Sequence, residues 1–219
     1  CVLSAGLAQA PARQVALGAE LPYTAGAQTI NKVCGSGLKA VMTAYDAIKA
    51  GSASCIVAGG MESMSRAPFL LPKGRTGQNI GHMNMLDHMM YDGLENAYDG
   101  QAMGVFAQQS ADVLGLSRQA MDDFALASLH RAQTAQAKQY FANEIIPVPI
   151  SVRGTDVLIE LDQNPTQARP DKIPHLKPAF AKNGSITAAN ASSISDGAAA
   201  VLVMSESAAK AQAVAALAK

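Results

Sequence analysis

The sequence has no tryptophan, few charged residues and no net charge. Of its 219 residues, 16% are charged, and 17 basic residues balance 17 acidic ones. A neutral chain has no long-range electrostatic attraction to nucleic acid or to anionic lipid. Aromatic residues make up only 5% of the chain, which leaves little material for stacking nucleic-acid bases. We therefore expect neither a nucleic-acid partner nor a membrane partner.

Long apolar runs and a cysteine framework are missing as well. The longest apolar stretch, residues 197–204, is far shorter than the roughly 20 residues of a membrane span. Three cysteines without regular spacing predict neither disulfides nor a Cys-based zinc site. His82 and His88 flank a Met-rich run, but their spacing matches no known ligand set, so we expect no metal. A reducing compartment is expected.

What the sequence does contain is an alternation of short apolar runs and helical patterns, typical of an α/β fold with parallel βαβ units. Residues 61–99 lack clear periodicity, which indicates a functional segment or a projecting arm. Prolines between residues 165 and 178 predict an irregular segment without helix. The helix after Ser117 is expected to turn Met121 and Phe124 inward. Strands are predicted over residues 24–33, 54–58, 145–152, 157–161 and 198–204. The other helices are predicted to begin near Pro11, Leu38, Met103 and Glu206.

Cys34 lies between a predicted strand and a predicted helix, in the run Cys34-Gly35-Ser36-Gly37. The free N–H groups and the dipole of the following helix favour a thiolate, by about 0.3–1 kcal/mol. Such a stabilisation lowers a thiol pKa by about one unit at most, so a histidine or another cation is needed for full activation. None of the four histidines lies in a recognisable base motif. The alternative is a small buried residue, and Cys55, inside an apolar strand, is predicted to be core.

Several segments occur in a family-specific order. They are NKVCGSGLKA at residues 31–40, AGGMESMS at 58–65, LKPAF at 176–180, TAANAS at 187–192 and DGAAA at 196–200. In order and spacing these segments resemble the thiolases, and most closely the acetyl-CoA acetyltransferase group. The resemblance implies a thiolase-like layered α/β fold, with a mixed, mainly parallel sheet, helices on its faces and an irregular α/β loop insertion.

The resemblance also implies site residues. Cys34 would attack the thioester carbonyl of an acyl-CoA and carry the acyl group, with its backbone N–H helping to hold the oxyanion. Ser192 would hydrogen-bond a pantetheine amide, and Arg169 would meet a coenzyme A phosphate. The other implied contacts are the acyl-pocket walls Leu94 and Met103 and the coenzyme A path residues Phe180 and Ala188. Each has a structural alternative: Phe180 and Met103 as core residues, and Ser192 as a residue that satisfies a turn.

The resemblance implies a domain organisation and partners. Residues 1–62 and 183–219 would form the N-terminal α/β core, without its first strand and helix. Residues 63–182 would be the inserted loop region, which binds substrate and forms oligomer contacts. A C-terminal thiolase half, absent from this chain, would supply a histidine and a second cysteine. We expect a homodimer or homotetramer in the cytoplasm, with a mitochondrial or peroxisomal origin also open.

The implied reaction is reversible Claisen condensation of two acetyl-CoA molecules to acetoacetyl-CoA and CoA, or thiolysis of a 3-ketoacyl-CoA. Coenzyme A thioesters are substrates, and no cofactor is expected. Ala102 stands where many acetoacetyl-specific members have histidine, which leaves acyl-chain preference open. Two alternatives remain: a non-catalytic acyl-CoA-binding or assembly subunit with the same fold, and a decarboxylating condensing enzyme of the ketoacyl-synthase type. The Cys-Gly-Ser-Gly run counts against the latter.

Overall fold

An antiparallel pair of strands organises the part of the chain that carries Cys34. The structure, a computed structural model, describes residues 1–218. Strand β1 (Cys55–Ser63) pairs with strand β6 (Asp196–Met204) along its whole length. At Gly59 the neighbouring strand comes so close that a Cβ would overlap the backbone carbonyl oxygen of Ala199. A glycine is therefore needed there for the pairing.

The chain divides into two compact units. The first consists of Cys1–Gln101 together with the chain from Ile194 onward, and the second is Ala102–Ser193. In the first unit, helix α2 (Ser36–Lys49) packs on β1 and β6. The remaining elements of the first unit are α1 (Pro11–Gly18), a 3-10 turn (Met64–Arg66), β2 (Phe69–Leu70) paired with β3 (Leu86–Asp87), a π-helix (Met89–Leu94) and α6 (Glu206–Ala211).

The second unit is mainly helical. Helix α3 (Met103–Val113) is followed by Gly115 at φ +63°, a left-handed conformation that glycine adopts without strain. Helix α4 (Arg118–Ala137) begins at Ser117, whose side chain accepts a hydrogen bond from the Ala120 N–H over 3.1 Å. The predicted N-cap is confirmed. The other elements are the hairpin of β4 (Val148–Val152) and β5 (Thr155–Ile159), α5 (Gln163–Gln167) and a 3-10 helix (Pro170–His175).

Each unit has a small core. In the first, Ala44 of α2 and Ala58 of β1 are almost fully buried, so the helix lies on the strand through small side chains. In the second, Ile173 and Ile186 are buried. The larger apolar side chains of α2 are exposed instead, including Leu38 at 69%. A face of this kind is seldom left open in a stable protein.

The predicted parallel sheet is not found in the part of the chain that the structure describes. All strand pairs among residues 1–218 are antiparallel, because β6 returns beside β1 in the opposite direction and β4 joins β5 through a tight turn. The strand predicted over residues 24–33 is also wrong as a paired strand. Extended backbone becomes a strand only beside a hydrogen-bonding neighbour, and the described part of the chain shows only an isolated bridge at Lys32 and Cys34.

Three local expectations also need correction. Strand β1 does not end at its glycines but continues through Gly59 to Ser63, because the whole stretch pairs with β6. Pro165 lies within the short helix α5, where its missing N–H falls in the first turn and costs no hydrogen bond. In α4 the buried residue is Asp122, whereas Phe124 is 73% exposed.

The predicted domain division, with a core of residues 1–62 and 183–219 and an insertion of 63–182, stays a prediction. The two compact units have other bounds, because they follow spatial contacts rather than the family's domain definition. Among the described residues no helix combines the length and the apolar composition that a membrane crossing requires.

Candidate active site

The turn that carries Cys34 is held by side chains of its own neighbours. Asn31 accepts a hydrogen bond from the Val33 N–H through Oδ1, over 2.8 Å. The buried Ser36 hydroxyl donates to the Val33 carbonyl over 2.6 Å and accepts from the Lys32 N–H over 2.9 Å. These bonds fix the backbone on both sides of Cys34. The sequence analysis did not single out Ser36 for this role, although its place at the start of a helix is typical of a capping serine.

Val33 has a left-handed backbone, with φ +50°. This conformation is rare for a β-branched residue and costs energy that the surrounding hydrogen bonds must offset. Cys34 follows directly, and helix α2 begins two residues later at Ser36. Hydrolases expose a serine nucleophile in a similar way, at a strained turn that leads into a helix.

The Cys34 side chain is exposed, in disagreement with the alternative of a buried core cysteine. Cys55, predicted to be core, is exposed as well, because it is the first residue of its strand. Cys34 lines a cavity of about 460 Å³ within the first unit. Its other lining residues include Gly37, Gly60, Met61, Glu62 and Leu94.

Two glycines bring the first turn of α2 close to β1 in this cavity. A Cβ at Gly60 would lie 3.3 Å from the Gly37 Cα, tighter than most real contacts. The α2 N-terminus, where backbone N–H groups are unpaired within the helix, is therefore seated on the strand.

Glu62 brings a carboxylate to the cavity wall, and backbone donors occupy it. Its oxygens accept hydrogen bonds from the Val2 N–H over 2.7 Å and from the Leu3 N–H over 2.9 Å. A carboxylate engaged in this way anchors the chain and is poorly suited to act as a base. No sequence pattern indicates this role, because the partners lie some 60 positions away.

Asp196, at the start of β6, accepts two hydrogen bonds from Ser65. The Ser65 hydroxyl donates to one carboxylate oxygen, and the Ser65 N–H donates to the other over 3.0 Å. These hydrogen bonds to the ionised form lower the pKa of Asp196 below its ordinary value. The contact ties the 3-10 turn after β1 to the beginning of β6.

The predicted site residues are divided between the two units. Leu94, the last residue of the π-helix, is half-buried and shares the Cys34 cavity. Met103 begins α3 in the second unit and is 44% exposed. The Phe180 ring lies against Gly104, where a Cβ would overlap it, and so reaches the same end of α3.

The other predicted residues lie in the second unit too. Ala188 and Ser192 are exposed in the turn region after the buried Thr187. A hydrogen bond from the Ala179 N–H to the Ile186 carbonyl, 2.8 Å long, links this region to the segment of Phe180. Arg169 is exposed and precedes the 3-10 helix, in a segment separate from these.

Buried polar side chains hold the turn at residues 185–190. The Gln108 Oε1 accepts from the Ser185 N–H over 2.8 Å and from the Ile186 N–H over 3.0 Å. Asn190 donates through Nδ2 to the Asp122 carboxylate over 3.0 Å. Asp122 also pairs with Arg118 at 2.6 Å. Sequence reasoning missed Gln108 and Asp122, although Arg118 and Asp122 have the i, i+4 spacing of a helical ion pair.

The family follows from comparison with known proteins. A family model described as the N-terminal domain of thiolase matches residues 1–207.

The chain belongs to the thiolase family.

Curated relatives include the acetyl-CoA acetyltransferase of Cupriavidus necator, 50% identical over 211 residues, which are 95% of this chain and 54% of that protein. A probable acetyl-CoA acetyltransferase of Dictyostelium discoideum is 47% identical, over 95% of this chain and 51% of that protein. This thiolase chain thus spans about half the length of the curated relatives it matches.

Solved structures agree on the fold. A thiolase of Ascaris suum in complex with coenzyme A superimposes with a TM-score of 0.89 at 38% identity, over 98% of this chain and 55% of that one. An acetyl-CoA acetyltransferase of Syntrophomonas wolfei gives 0.92 at 34% identity, over 98% and 54%. The predicted thiolase-like α/β fold is confirmed for this N-terminal part, as is the resemblance that suggested it.

Proposed function

We propose that the protein containing this chain is an acetyl-CoA C-acetyltransferase that forms an acyl-enzyme on Cys34. The observation that carries the proposal is an exposed cysteine at the braced turn that leads into α2, lining a cavity of about 460 Å³. Membership of the thiolase family and relatives named acetyl-CoA acetyltransferase support the same activity.

The first half-reaction is acyl transfer. The Cys34 thiolate attacks the carbonyl carbon of acetyl-CoA, a C–S bond to Cys34 forms, and the C–S bond to coenzyme A breaks. Coenzyme A leaves as a thiolate and takes up a proton. The oxyanion of the tetrahedral intermediate is stabilised by backbone N–H donors, among them that of Cys34.

The second half-reaction makes or breaks a carbon–carbon bond. In condensation, the α-carbon of a second acetyl-CoA loses a proton and attacks the acyl carbon, and Cys34 leaves as a thiolate. Thiolysis of a 3-ketoacyl-CoA is the reverse. The Glu62 carboxylate is engaged by two backbone N–H groups. We therefore assign the base and the histidine that activates Cys34 to a C-terminal thiolase half, along with the second cysteine.

In this proposal the substrate is held by the residues that the thiolase resemblance implies. Leu94 and Met103 wall the acyl chain, and Ser192 hydrogen-bonds a pantetheine amide. Arg169, exposed at the start of a 3-10 helix, meets a phosphate of coenzyme A. The solved thiolase in complex with coenzyme A supports this class of ligand. Phe180 and Ala188 complete the coenzyme A path.

We further propose a homodimer or homotetramer in the cytoplasm, working on coenzyme A thioesters without a cofactor. Exposed apolar side chains on α2 and on the β1–β6 pair support an assembly, since such surfaces are normally covered.

The test is acyl-enzyme formation in the full-length protein. After brief exposure to acetyl-CoA, we expect the peptide that contains Cys34 to gain one acetyl group by mass spectrometry. Cys34→Ala should abolish the adduct and thiolysis of acetoacetyl-CoA together. Cys55→Ala is the matched control, because Cys55 is also exposed and should be dispensable. Coenzyme A binding without an adduct would instead favour the non-catalytic subunit.

A further inference from the structure

His88 is buried, with 4% of its surface exposed, and has no part in the proposed chemistry. Its Nδ1 lies 2.6 Å from Asp92 Oδ2 and donates to that carboxylate. Its Nε2 accepts a hydrogen bond from the Ala5 backbone N–H over 3.3 Å. Because a backbone N–H can only donate, Nε2 carries no proton while this bond is made. The two partners therefore assign His88 to the neutral tautomer with its proton on Nδ1.

The partner of His88 belongs to residues 1–5, here called the strap. The strap is fixed at two points by side chains from different elements. Glu62 of β1 accepts from the N–H groups of Val2 and Leu3, and His88, just before the π-helix, accepts from Ala5. The strap thus bridges the strand and the π-helix Met89–Leu94.

The strap and the π-helix together form one wall of the Cys34 cavity. Val2 and Leu3 of the strap line it, and so do Met89, Gly93 and Leu94 of the π-helix. Leu3 is buried, and its Cδ2 would lie 3.3 Å from a Cβ on Gly93. The side chains of these five residues are apolar or absent, whereas the bonds that hold the strap in place are polar.

We infer that His88 is a positioning residue, which fixes this wall through Ala5 and so limits the length of the acyl chain accepted at Cys34. The identity of the occupant rests on the proposed function. When the bond to Ala5 is lost, the strap loses its hydrogen bond to the residue just before the π-helix, and the wall can move outward. Discrimination between short and long chains then falls, while Cys34 and its turn stay unchanged.

Three variants separate the two hydrogen bonds of His88. His88→Gln keeps an acceptor near Nε2 for the Ala5 N–H, and His88→Asn keeps a donor toward Asp92 but loses that acceptor. Ala5→Pro removes the N–H itself. Proline suits this position, because Ala5 is the second residue of a turn in which the Leu7 N–H donates to the Ser4 carbonyl. Gly6, the third residue, has φ +80°, as in a type II turn.

The measurement uses the full-length protein and two readouts. The first is the rate of Cys34 modification by methyl and by hexyl methanethiosulfonate, followed on the Cys34 peptide by mass spectrometry. The second is kcat/KM for acetoacetyl-CoA and for a 3-ketoacyl-CoA of eight carbons. For each readout we take the ratio of the long-chain value to the short-chain value. His88→Asn and Ala5→Pro should raise both ratios by roughly fivefold, about the effect of one hydrogen bond. His88→Gln and the exposed control His82→Asn should keep the wild-type ratios.

The two proposals fail in different ways. Unchanged ratios in both His88→Asn and Ala5→Pro overturn the role of His88, whatever the turnover. A shift of the ratios in His88→Gln as large as that in His88→Asn also overturns the role of His88, since loss of the bond to Ala5 would then not explain the shift. A shift in the modification ratio without turnover in any variant, wild type included, supports the role of His88 and rejects the proposed function.

Discussion

Two turns carry a candidate site residue each, Cys34 in the first and Ala188 in the second, and they are held in opposite ways. The turn at residues 31–36 is braced by Asn31 and Ser36, which bond to backbone groups at most four positions away. The turn at residues 185–190 is braced by Gln108 and Asp122, which lie 68 to 78 positions from their partners. The first can form from its own chain segment. The second requires helices α3 and α4 to be in place.

The largest loss of stability is expected at the turn of residues 185–190, which distant side chains hold. Asp122→Ala removes a buried carboxylate from Arg118 and Asn190, leaving both without that partner. We expect the free energy of unfolding to fall by about 2–3 kcal/mol, because breaking a buried pair leaves uncompensated polar groups. Urea unfolding of the full-length protein measures it, and coenzyme A affinity should fall as well. Asp123→Ala, the exposed neighbour paired with Gln119, is the matched control and should stay near wild type.

A smaller loss of stability is expected at the turn of residues 31–36, which neighbouring side chains hold. Ser36→Ala removes one hydrogen bond to the Val33 carbonyl and one from the Lys32 N–H. The exposed turn can replace them partly with water, so we expect a loss of about 1 kcal/mol. Acetylation of Cys34, followed by stopped-flow or mass spectrometry, should slow as its backbone loosens. The control is Ser52→Ala, in the exposed segment beyond the other end of α2. A loss as large as that of Asp122→Ala would contradict the contrast between the turns.

The smallest effect concerns Ser65 and Asp196 and depends on pH. Hydrogen bonds from Ser65 lower the folded-state pKa of Asp196 below its ordinary value of 3.8. They therefore stabilise the folded protein at pH values above that ordinary pKa. This stabilisation is lost as the pH falls through the lowered pKa. At pH 7 the wild type should be more stable than Ser65→Ala by less than about 1 kcal/mol, because Asp196 is exposed.

The stability difference between wild type and Ser65→Ala should shrink steadily as pH falls below the ordinary Asp pKa. Unfolding curves at pH 7 and at successively lower pH measure it. In an Asp196→Asn background the Ser65 substitution should show no such pH dependence. A difference that grows in acid would mean that Ser65 favours the protonated carboxyl instead.

Local features of this fold could be predicted from the sequence because their causes are local. The capping hydroxyl of Ser117, the glycine after α3 and the glycine turn at Cys34 each act within a few residues. The motif segments also placed the chain in its family, since family identity is carried by residue order and spacing. The glycine turn at Cys34 and the strand over residues 198–204 could therefore be predicted from the sequence.

Features that depend on distant partners could not be predicted. The antiparallel direction of β6 follows from the path of the chain after β1, and no periodicity encodes it. Glu62 meets partners 59 and 60 positions away, and a single glutamate in a strand gives no sign of that. The prediction of the buried face of α4 is wrong, because the apolar pattern of the helix favours Phe124. The ion pair with Arg118 makes Asp122 the buried residue instead.

The separation of β1 from β6 in sequence has a consequence for protein synthesis. About 130 residues lie between the two strands. At roughly 5–20 residues per second, a ribosome needs on the order of ten seconds to make them. During that interval β1 has emerged with a bare hydrogen-bonding edge, the kind of surface that invites aggregation. The strand pair on which α2 packs is therefore completed only after β6 has been made.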